Sequence, residues 1–493
     1  MASRPSASPA GAGRPGIPAG AWAAAGGVVV LLLAVSARYG FHRDELYFIV
    51  AGRNPDWGYV DQPPFVPLLA RLAELIAGTG SPVPLRVLPA LAVGAVALLA
   101  ASMALRFGGG RWAAVYAAFG VGWVGVLLGE GHLLSTAVFD FALWTLALWM
   151  LVRLLDGASP RGWLALGATI GVGLQNKHTI GFLAVAALAG VLLGGRRGLL
   201  RGPWPWLGAS VATVLALPNL LWQATNGWPQ LEMARAIADR GDGPLAFVAL
   251  QPALLSIVLV APAAAGWWWL LRSGEARRWR PLAVAFALLF VTFLAVGGKA
   301  YYLAPMYSCL IAAGATRVER LGRAPRRLTA GATALGLAFG LFVALPLLPV
   351  RSMSALDATG ELAETVGWPD LIAQVGGVLD QIPAADRADA VVFTGSYGEA
   401  GAVDVLGPGG DLPPAFSGHN SYWSWGPPER HGPVIGVGAV GDVLAAICPS
   451  LQRWGKIANA DGVENEEAGL PLYLCLAPSR QLADIWVDVR HFN

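Results

Sequence analysis

The sequence predicts an α-helical polytopic membrane protein of about eleven transmembrane helices, followed by an extracytoplasmic α/β domain at the C-terminus. Hydrophobic residues make up 55% of the chain and charged residues 13%. The mean hydropathy is +0.55, well above that of soluble proteins. Apolar runs of membrane length recur as far as residue 350, and beyond it Asp, Glu, Pro and Gly become more frequent.

The chain is predicted to consist of three parts. Residues 1–20 are rich in Pro, Ala, Gly and Ser, a composition typical of a disordered cytoplasmic tail. Residues 21–350 form the transmembrane domain, and residues 351–493 form the C-terminal domain, in which short β-rich runs alternate with helical segments. The predicted spans lie near residues 21–37, 84–105, 112–129, 134–152, 162–175, 180–195, 204–221, 246–271, 281–297, 302–316 and 328–349.

The distribution of positive charge predicts the orientation. Arginine and lysine are about twice as frequent in one alternating set of loops as in the other. Because positive loops stay in the cytoplasm, the N-terminus is expected inside and, after an odd number of spans, the C-terminal domain outside. The loops with unusual polar residues then all lie on the external face. Such clustering is expected of an external active site, which several loops build together.

The first external loop, residues 38–83, contains the densest polar segment, RYGFHRDELYFIVAGRNPDWGYVDQPP over residues 38–64. It holds the acidic pair Asp44 and Glu45 beside Arg43. Carboxylates next to a bilayer often mark a functional site. The alternative is that both are simply solvated in a polar loop.

The motifs HRDELYF and GYVDQPPF in this loop resemble the first external loop of glycosyltransferase family 39. Its members are GT-C-type membrane enzymes that include protein O-mannosyltransferases and the lipid A aminoarabinose transferase. The resemblance implies that Asp44 is the general base and that Glu45 and Asp140 assist it. Asp61 and Gln62 become substrate-binding candidates, although the lipid A enzymes have Lys in place of Gln62, so a phosphate role there is not implied.

The segment GGKAYYLAPMY resembles the family's basic-x-Tyr-Tyr segment near the donor phosphate. The resemblance therefore makes Lys299, Tyr301 and Tyr302 donor candidates, and Arg43 and Lys177 are expected to help hold the phosphate. An ammonium group is a good phosphate ligand, but lysines at helix ends also reach toward water without binding anything. His132 and His178 lie in other polar clusters on the same predicted face and are further substrate-binding candidates.

The C-terminal domain contains SYGEAGAVDVLG and SGHNSYWSWGPPERHG, which resemble C-terminal segments of bacterial family members. His419, Asn420 and Trp423 are candidates for binding a sugar; alternatively, these residues form a surface that docks on the membrane domain. Cys448 and Cys475 are the cysteines of this domain, and an oxidising compartment would allow them to pair.

The resemblance implies an inverting transferase that moves a sugar from a polyprenyl-phosphate carrier to a hydroxyl of a protein, lipid or glycan. It would act at the external face of a bacterial cytoplasmic membrane, in contact with membrane lipids. A transporter or flippase of lipid-linked sugars is the alternative, although no internal repeat of the transporter kind is visible. No cofactor is identified, and a divalent metal stays open. No GxGxxG, Walker or zinc-spacing motif occurs, which argues against a nucleotide site and a structural metal. No nucleic-acid partner is expected.

Overall fold

The computed structural model describes residues 16–239, 243–355, 360–407 and 412–492. Most of the predicted cytoplasmic tail, residues 1–15, lies outside these ranges. Among the described residues up to 344, all regular secondary structure is helical. They are α1 Ala19–Val35, α2 Arg43–Arg53, α3 Phe65–Ala77, α4 Val83–Arg106, α5 Arg111–Gly122, α6 Gly125–Gly131, α7 Thr136–Leu155, α8 Gly162–Leu174, α9 Thr179–Leu193, α10 Trp204–Thr225, α11 Pro229–Asp239, α12 Gly243–Leu254, α13 Val260–Arg272, α14 Arg280–Ala295, α15 Ala304–Arg320 and α16 Arg323–Ala344.

Within the described ranges, five helices are long and apolar enough to cross a membrane, and the number rises to six if α5 and α6, bent by 57°, form one span. Shorter apolar helices, α1, α8, α9 and α12, occupy other predicted spans. The helical membrane class is therefore confirmed, while the count of eleven spans stays a prediction.

The apolar run predicted as one span at residues 246–271 is not one continuous helix, because α12 and α13 are separate helices. Pro252 lacks the N–H that a continuous helix needs. Four residues later the chain turns with positive φ at Ser256 and Ile257, 48° and 58°. Non-glycine residues seldom adopt this conformation, and it ends the helix here.

The C-terminal part contains α17 Gly360–Ala363, α18 Trp368–Leu379, α19 Tyr397–Leu406, α20 Ser421–Ser424 and α21 Gly441–Ile447. Its strands are β1 Val391–Thr394, β2 Ala415–Ser417, β3 Val434–Val437, β4 Gln452–Lys456 and β5 Pro471–Cys475. They form a five-stranded sheet in the order β2-β1-β3-β5-β4, in which β1 is parallel to β2 and β3 and β5 is antiparallel to β3 and β4. The predicted α/β fold of this part is confirmed, and Cys448 and Cys475 form a disulfide.

Candidate active site

Helix α2 begins inside the HRDE motif, and residues of the motif cap its first turn. The imidazole of His42 accepts a hydrogen bond from the backbone N–H of Asp44 at 3.2 Å. In return, the Glu45 carboxylate accepts from the backbone N–H of His42 at 2.9 Å. This reciprocal arrangement is a capping box, which satisfies N–H groups that a helix start otherwise leaves unpaired. The polar residues of the motif therefore fix where α2 starts.

Glu45 is fully buried and serves as an anchor. Arg86 of α4 holds both of its carboxylate oxygens, with Nε to Oε1 at 2.9 Å and Nη2 to Oε2 at 2.6 Å. The backbone N–H of Leu134 donates to Oε1 at 3.0 Å. Together with the capping contact, these bonds occupy the carboxylate, so Glu45 is suited to orienting the loop and not to accepting a proton from a substrate. His132 lies next to this pair, with its Nδ1 2.8 Å from the carbonyl of Gly129.

Asp44 is the accessible carboxylate of the motif. Its side chain is 37% exposed, whereas that of Glu45 is 0% exposed. Oδ1 accepts a hydrogen bond from the hydroxyl of Tyr397, in α19 of the C-terminal domain, at 2.8 Å. Among the described residues, no side chain or backbone group hydrogen-bonds Oδ2. One oxygen of Asp44 is thus held, and the other remains available.

Asp61 forms a second acidic position in electrostatic range of Asp44. Its Oδ1 accepts a hydrogen bond from the hydroxyl of Tyr47 at 2.6 Å. Burial raises the pKa of Asp61 to about 6, and the Asp44 carboxylate adds to this rise. The ring of Tyr47 lies 4.9 Å from that of Tyr397. The two carboxylates are therefore bridged by a pair of packed tyrosines.

Lys177 is the cation around which the donor candidates gather. Its ammonium donates to the hydroxyl of Tyr301 at 3.3 Å and lies 4.9 Å from the ring centroids of both Tyr301 and Tyr302. Asp140 is in electrostatic range of Lys177, and its Oδ2 accepts from the hydroxyl of Thr179 at 2.7 Å. The nearby positive charge of Lys177 offsets part of the cost of burying a carboxylate in the helical bundle.

Glu130 is a member of this cluster that sequence reasoning did not single out. It lies in electrostatic range of both Lys177 and Asp44, and its carboxylate accepts from Ser135 at 3.0 Å. Glu130 therefore links the acidic end of the site to the cationic end. The available signal was its position two residues before His132, in a polar cluster at the predicted external end of a span.

An apolar cavity of about 1520 Å³ opens beside the tyrosines. It runs between α6, α12, α14 and α16, and Lys299 and Tyr301 are among its few polar lining residues. Lys299 is exposed and lies in electrostatic range of Glu361 in α17. Apolar walls are provided by residues such as Phe247, Leu254, Phe339 and Val343.

Two other predicted site residues, Arg43 and Trp423, make their contacts outside the cluster around Lys177. Arg43 faces carboxylates of the C-terminal domain, pairing with Glu466 and lying 3.8 Å from Glu364, so the expected phosphate contact is not supported. Trp423 donates through its indole to the carbonyl of Trp486 at 2.8 Å and packs the C-terminal segment. Its expected sugar contact is likewise not supported.

The remaining candidates surround the cluster. His178 contacts Asn219 at 2.9 Å, and Asn219 in turn donates to the carbonyl of Trp57, so His178 supports the first loop. Gln62 is buried, and its amide has no hydrogen-bond partner among the described residues. The ring of His419 packs against that of Tyr397 at a tilt of 46°, with the centroids 4.8 Å apart.

Asn420 is buried in the C-terminal domain and has a positive φ of 49°. A non-glycine residue rarely adopts this conformation. The next residue, Ser421, accepts a hydrogen bond from the backbone N–H of Val60 at 3.1 Å, which joins the domain to the first loop. Within the described ranges, no group of three or more His, Cys, Asp or Glu residues is arranged to hold a metal ion.

The comparisons with known proteins agree with this architecture. Residues 61–222 match the family model described as dolichyl-phosphate-mannose-protein mannosyltransferase. No curated protein sequence matches the chain significantly. The structure of ArnT from Cupriavidus metallidurans bound to undecaprenyl phosphate superposes with a TM-score of 0.61 at 14% identity, covering 93% of this chain and 98% of that one.

Two further solved structures have the same fold. ArnT from Cupriavidus metallidurans in the apo state gives a TM-score of 0.60 at 13% identity, with 91% and 96% of the two chains covered. A mutant of the arabinofuranosyltransferase AftD from Mycobacteria gives 0.52 at 15% identity, covering 92% of this chain and 41% of that one.

The family match over residues 61–222 and the shared helical fold support a membrane glycosyltransferase of the GT-C type. Within that class the chain is family 39-like, as the motifs of its first loop predict. The alternative of a transporter or flippase has no support in the fold or in the family match.

Proposed function

We propose that the protein transfers a sugar, with inversion, from a polyprenyl-phosphate carrier to a hydroxyl group of an acceptor. The observation that carries this proposal is the arrangement of three features: an open carboxylate at Asp44, a cation at Lys177 and an apolar cavity beside Tyr301. Glu130, in electrostatic range of both Asp44 and Lys177, connects the first two. Sugar transfer from a lipid-linked donor to a hydroxyl needs a base for the acceptor, a cation for the phosphate and an apolar site for the lipid. The likeness to ArnT bound to undecaprenyl phosphate supports the same donor class.

The cavity suits the lipid part of such a donor. Its volume of about 1520 Å³ exceeds the roughly 300–1,000 Å³ of ordinary small-molecule sites. Its lining is mainly apolar, and its polar residues include Lys299 and Tyr301. A polyprenyl chain in this cavity would place its phosphate near those residues and near Lys177.

The charges of the cluster suit the chemistry of transfer. Oδ2 of Asp44 takes the proton of the acceptor hydroxyl while the hydroxyl oxygen attacks the anomeric carbon. The bond between that carbon and the phosphate oxygen breaks, and its electrons leave with the polyprenyl phosphate. The ammonium of Lys177 and the hydroxyl of Tyr301 stabilise the charge that develops on this leaving group. Backside attack of this kind inverts the anomeric configuration.

We place this reaction at the external face of a bacterial cytoplasmic membrane, with the C-terminal domain outside and the acceptor a protein, lipid or glycan. The positive-inside distribution of Arg and Lys supports this orientation. The direct test offers purified protein a panel of polyprenyl-phosphate sugars together with hydroxyl acceptors. Release of polyprenyl phosphate from one donor, matched by a glycosylated acceptor, is expected. Consumption of no donor would contradict the proposal.

A charge test checks the donor site. Lys177→Gln is expected to weaken donor affinity by about tenfold or more, equivalent to about 1.4 kcal/mol, because its ammonium lies against two partly buried aromatic rings, where charge interactions are stronger than in water. Lys299→Gln is expected to have a smaller effect, since Lys299 is exposed at the cavity. Donor binding to detergent-solubilised protein is the measurement.

The control for this test is Lys456→Gln, which removes the third lysine of the chain at an exposed position of β4. It should bind donor as the unchanged protein does. Wild-type affinity in the Lys177 variant would exclude Lys177 from the phosphate site.

A further inference from the structure

The C-terminal domain contributes a side chain directly to the acidic end of the site. Tyr397 is the first residue of α19, and its hydroxyl reaches Oδ1 of Asp44 at 2.8 Å, although the two residues are 353 positions apart. Burial, together with the neighbouring carboxylate, raises the pKa of Tyr397 well above its ordinary value. The hydroxyl therefore stays protonated and acts as a hydrogen-bond donor to Asp44.

Helix α19 is positioned for this contact by two features of its own sequence. The hydroxyl of Ser396 accepts from the backbone N–H of Glu399 at 3.1 Å, and the Glu399 carboxylate accepts from the backbone N–H of Ser396 at 3.0 Å. This capping box fixes the helix start at Tyr397. The backbone N–H of Tyr397 also donates to Nδ1 of His419 at 3.3 Å, and the two rings pack against each other at a tilt of 46°.

The second feature is the absence of side chains on the face of α19 that meets α2. A Cβ at Gly401 would lie 3.1 Å from the backbone carbon and Cβ of Leu46, and one at Gly398 would lie 2.9 Å from Cβ of Arg43. Both distances are shorter than ordinary van der Waals contact. The two glycines thus let the helices approach closely enough for the Tyr397 hydroxyl to reach Asp44.

We propose that Tyr397 is a positioning residue for Asp44, so that the C-terminal domain completes the active site of the membrane domain. This inference rests on the proposed role of Asp44 as general base. The hydrogen bond holds Oδ1 and turns Oδ2 toward the acceptor hydroxyl. Without it, the half-exposed carboxylate can rotate about its own side-chain bonds, and fewer orientations are productive.

Tyr397→Phe removes only the hydroxyl and is the main test. The turnover number is expected to fall by roughly tenfold or more, as for loss of one hydrogen bond to a charged group, while the KM for donor stays unchanged. A hydrogen bond to a carboxylate favours its charged form, so the acidic limb of the pH–rate profile should move to higher pH. Five titratable or charged groups lie near Asp44 on its own and neighbouring elements: His42, Arg43, Asp61, Glu130 and Tyr397. The Tyr397→Phe variant removes only the last of them.

Tyr422→Phe is the matched control. The Tyr422 hydroxyl also donates to a carboxylate of the same domain, Asp404 Oδ2 at 2.9 Å. Loss of the Tyr422 hydroxyl removes a hydrogen bond of the same kind, but it should leave the acidic limb of the pH–rate profile unchanged. A limb that shifts equally in both variants would reduce the role of Tyr397 to general stabilisation of the domain and would overturn the inference.

Gly401→Ala tests the docking of the two helices while leaving Tyr397 intact. The added methyl group should push α19 away from α2 and reproduce the loss of turnover. Gly376→Ala in α18 is its control, because a Cβ there would meet only one atom, Leu412 Cδ2 at 4.0 Å.

Asp44→Asn separates this inference from the proposed function. An inactive Asp44→Asn variant alongside a Tyr397→Phe variant with normal turnover and an unshifted acidic limb would overturn the positioning role alone. Normal turnover in Asp44→Asn would overturn the role of Asp44 as base, and the inference with it.

Discussion

Replacement of Asp44 by asparagine is expected to lower the turnover number by roughly 10²–10⁴-fold, the range for loss of a general base, while donor affinity is retained. The amide keeps the size of the side chain, and its oxygen can still accept the hydrogen bond from Tyr397. It cannot take a proton from the acceptor hydroxyl. Release of polyprenyl phosphate at saturating donor measures turnover, and equilibrium donor binding is measured separately.

Asp61 is the carboxylate that competes with Asp44 for this role. Its pKa of about 6 lies near the range in which a general base works well at neutral pH. However, Asp61 is only partly exposed and its Oδ1 is held by the hydroxyl of Tyr47, whereas the side chain of Asp44 is 37% exposed and its Oδ2 is open to an incoming hydroxyl. Asp61→Asn is therefore expected to reduce turnover less than Asp44→Asn. The reverse order of effects would transfer the base to Asp61.

The acidic end of this site, around Asp44 and Glu45, could be predicted from the local sequence only in part. The HRDE motif places Asp44 and Glu45 together, and the resemblance to family 39 draws attention to both. It does not distinguish their surroundings, because burial of Glu45 depends on Arg86 in another helix. The same four letters also form the capping box of α2. The structural role of Glu45 thus depends on the packing of α2 against α4, which the local sequence does not specify.

The donor end of the site, around Lys177 and Tyr301, could likewise be predicted only in part. The resemblance selects Lys299 with Tyr301 and Tyr302, because these residues are neighbours in the sequence. In the folded protein the ammonium that lies over both tyrosine rings belongs to Lys177, from the turn between α8 and α9. Which of two lysines meets an aromatic pair depends on helix packing. Tyr397 is the extreme case, since its contact with Asp44 spans 353 residues.

The pair of Glu45 and Arg86 connects the fold to the site. Arg86 is 1% exposed, and besides Glu45 it donates to the carbonyls of Ser36 and Gly40, each at 2.7 Å. One guanidinium therefore joins the end of α1, the loop that follows it, the start of α2 and helix α4. The position of Asp44 depends on this junction, because Asp44 immediately precedes Glu45 in the first turn of α2.

Arg86→Met is expected to lower the free energy of unfolding by about 3–5 kcal/mol, the range for breaking a buried ion pair on one side. Methionine fills similar space but leaves the Glu45 carboxylate buried without a cation and the Ser36 and Gly40 carbonyls without their donor. Arg86→Lys should fall between, because an ammonium retains the charge but cannot reproduce the bidentate geometry. The midpoint of unfolding in detergent measures the loss.

Arg320→Met is the control, since Arg320 forms an ion pair with Glu275 at 2.8 Å on an exposed surface, where such pairs contribute little. Adding Glu45→Gln to Arg86→Met should restore part of the lost stability, because the uncompensated charge is then removed. It should not restore turnover, since the first turn of α2 would still lack the guanidinium that holds it beneath Asp44. An Arg86→Met protein that unfolds at the same midpoint as the Arg320 control would show that this junction does not hold the catalytic loop.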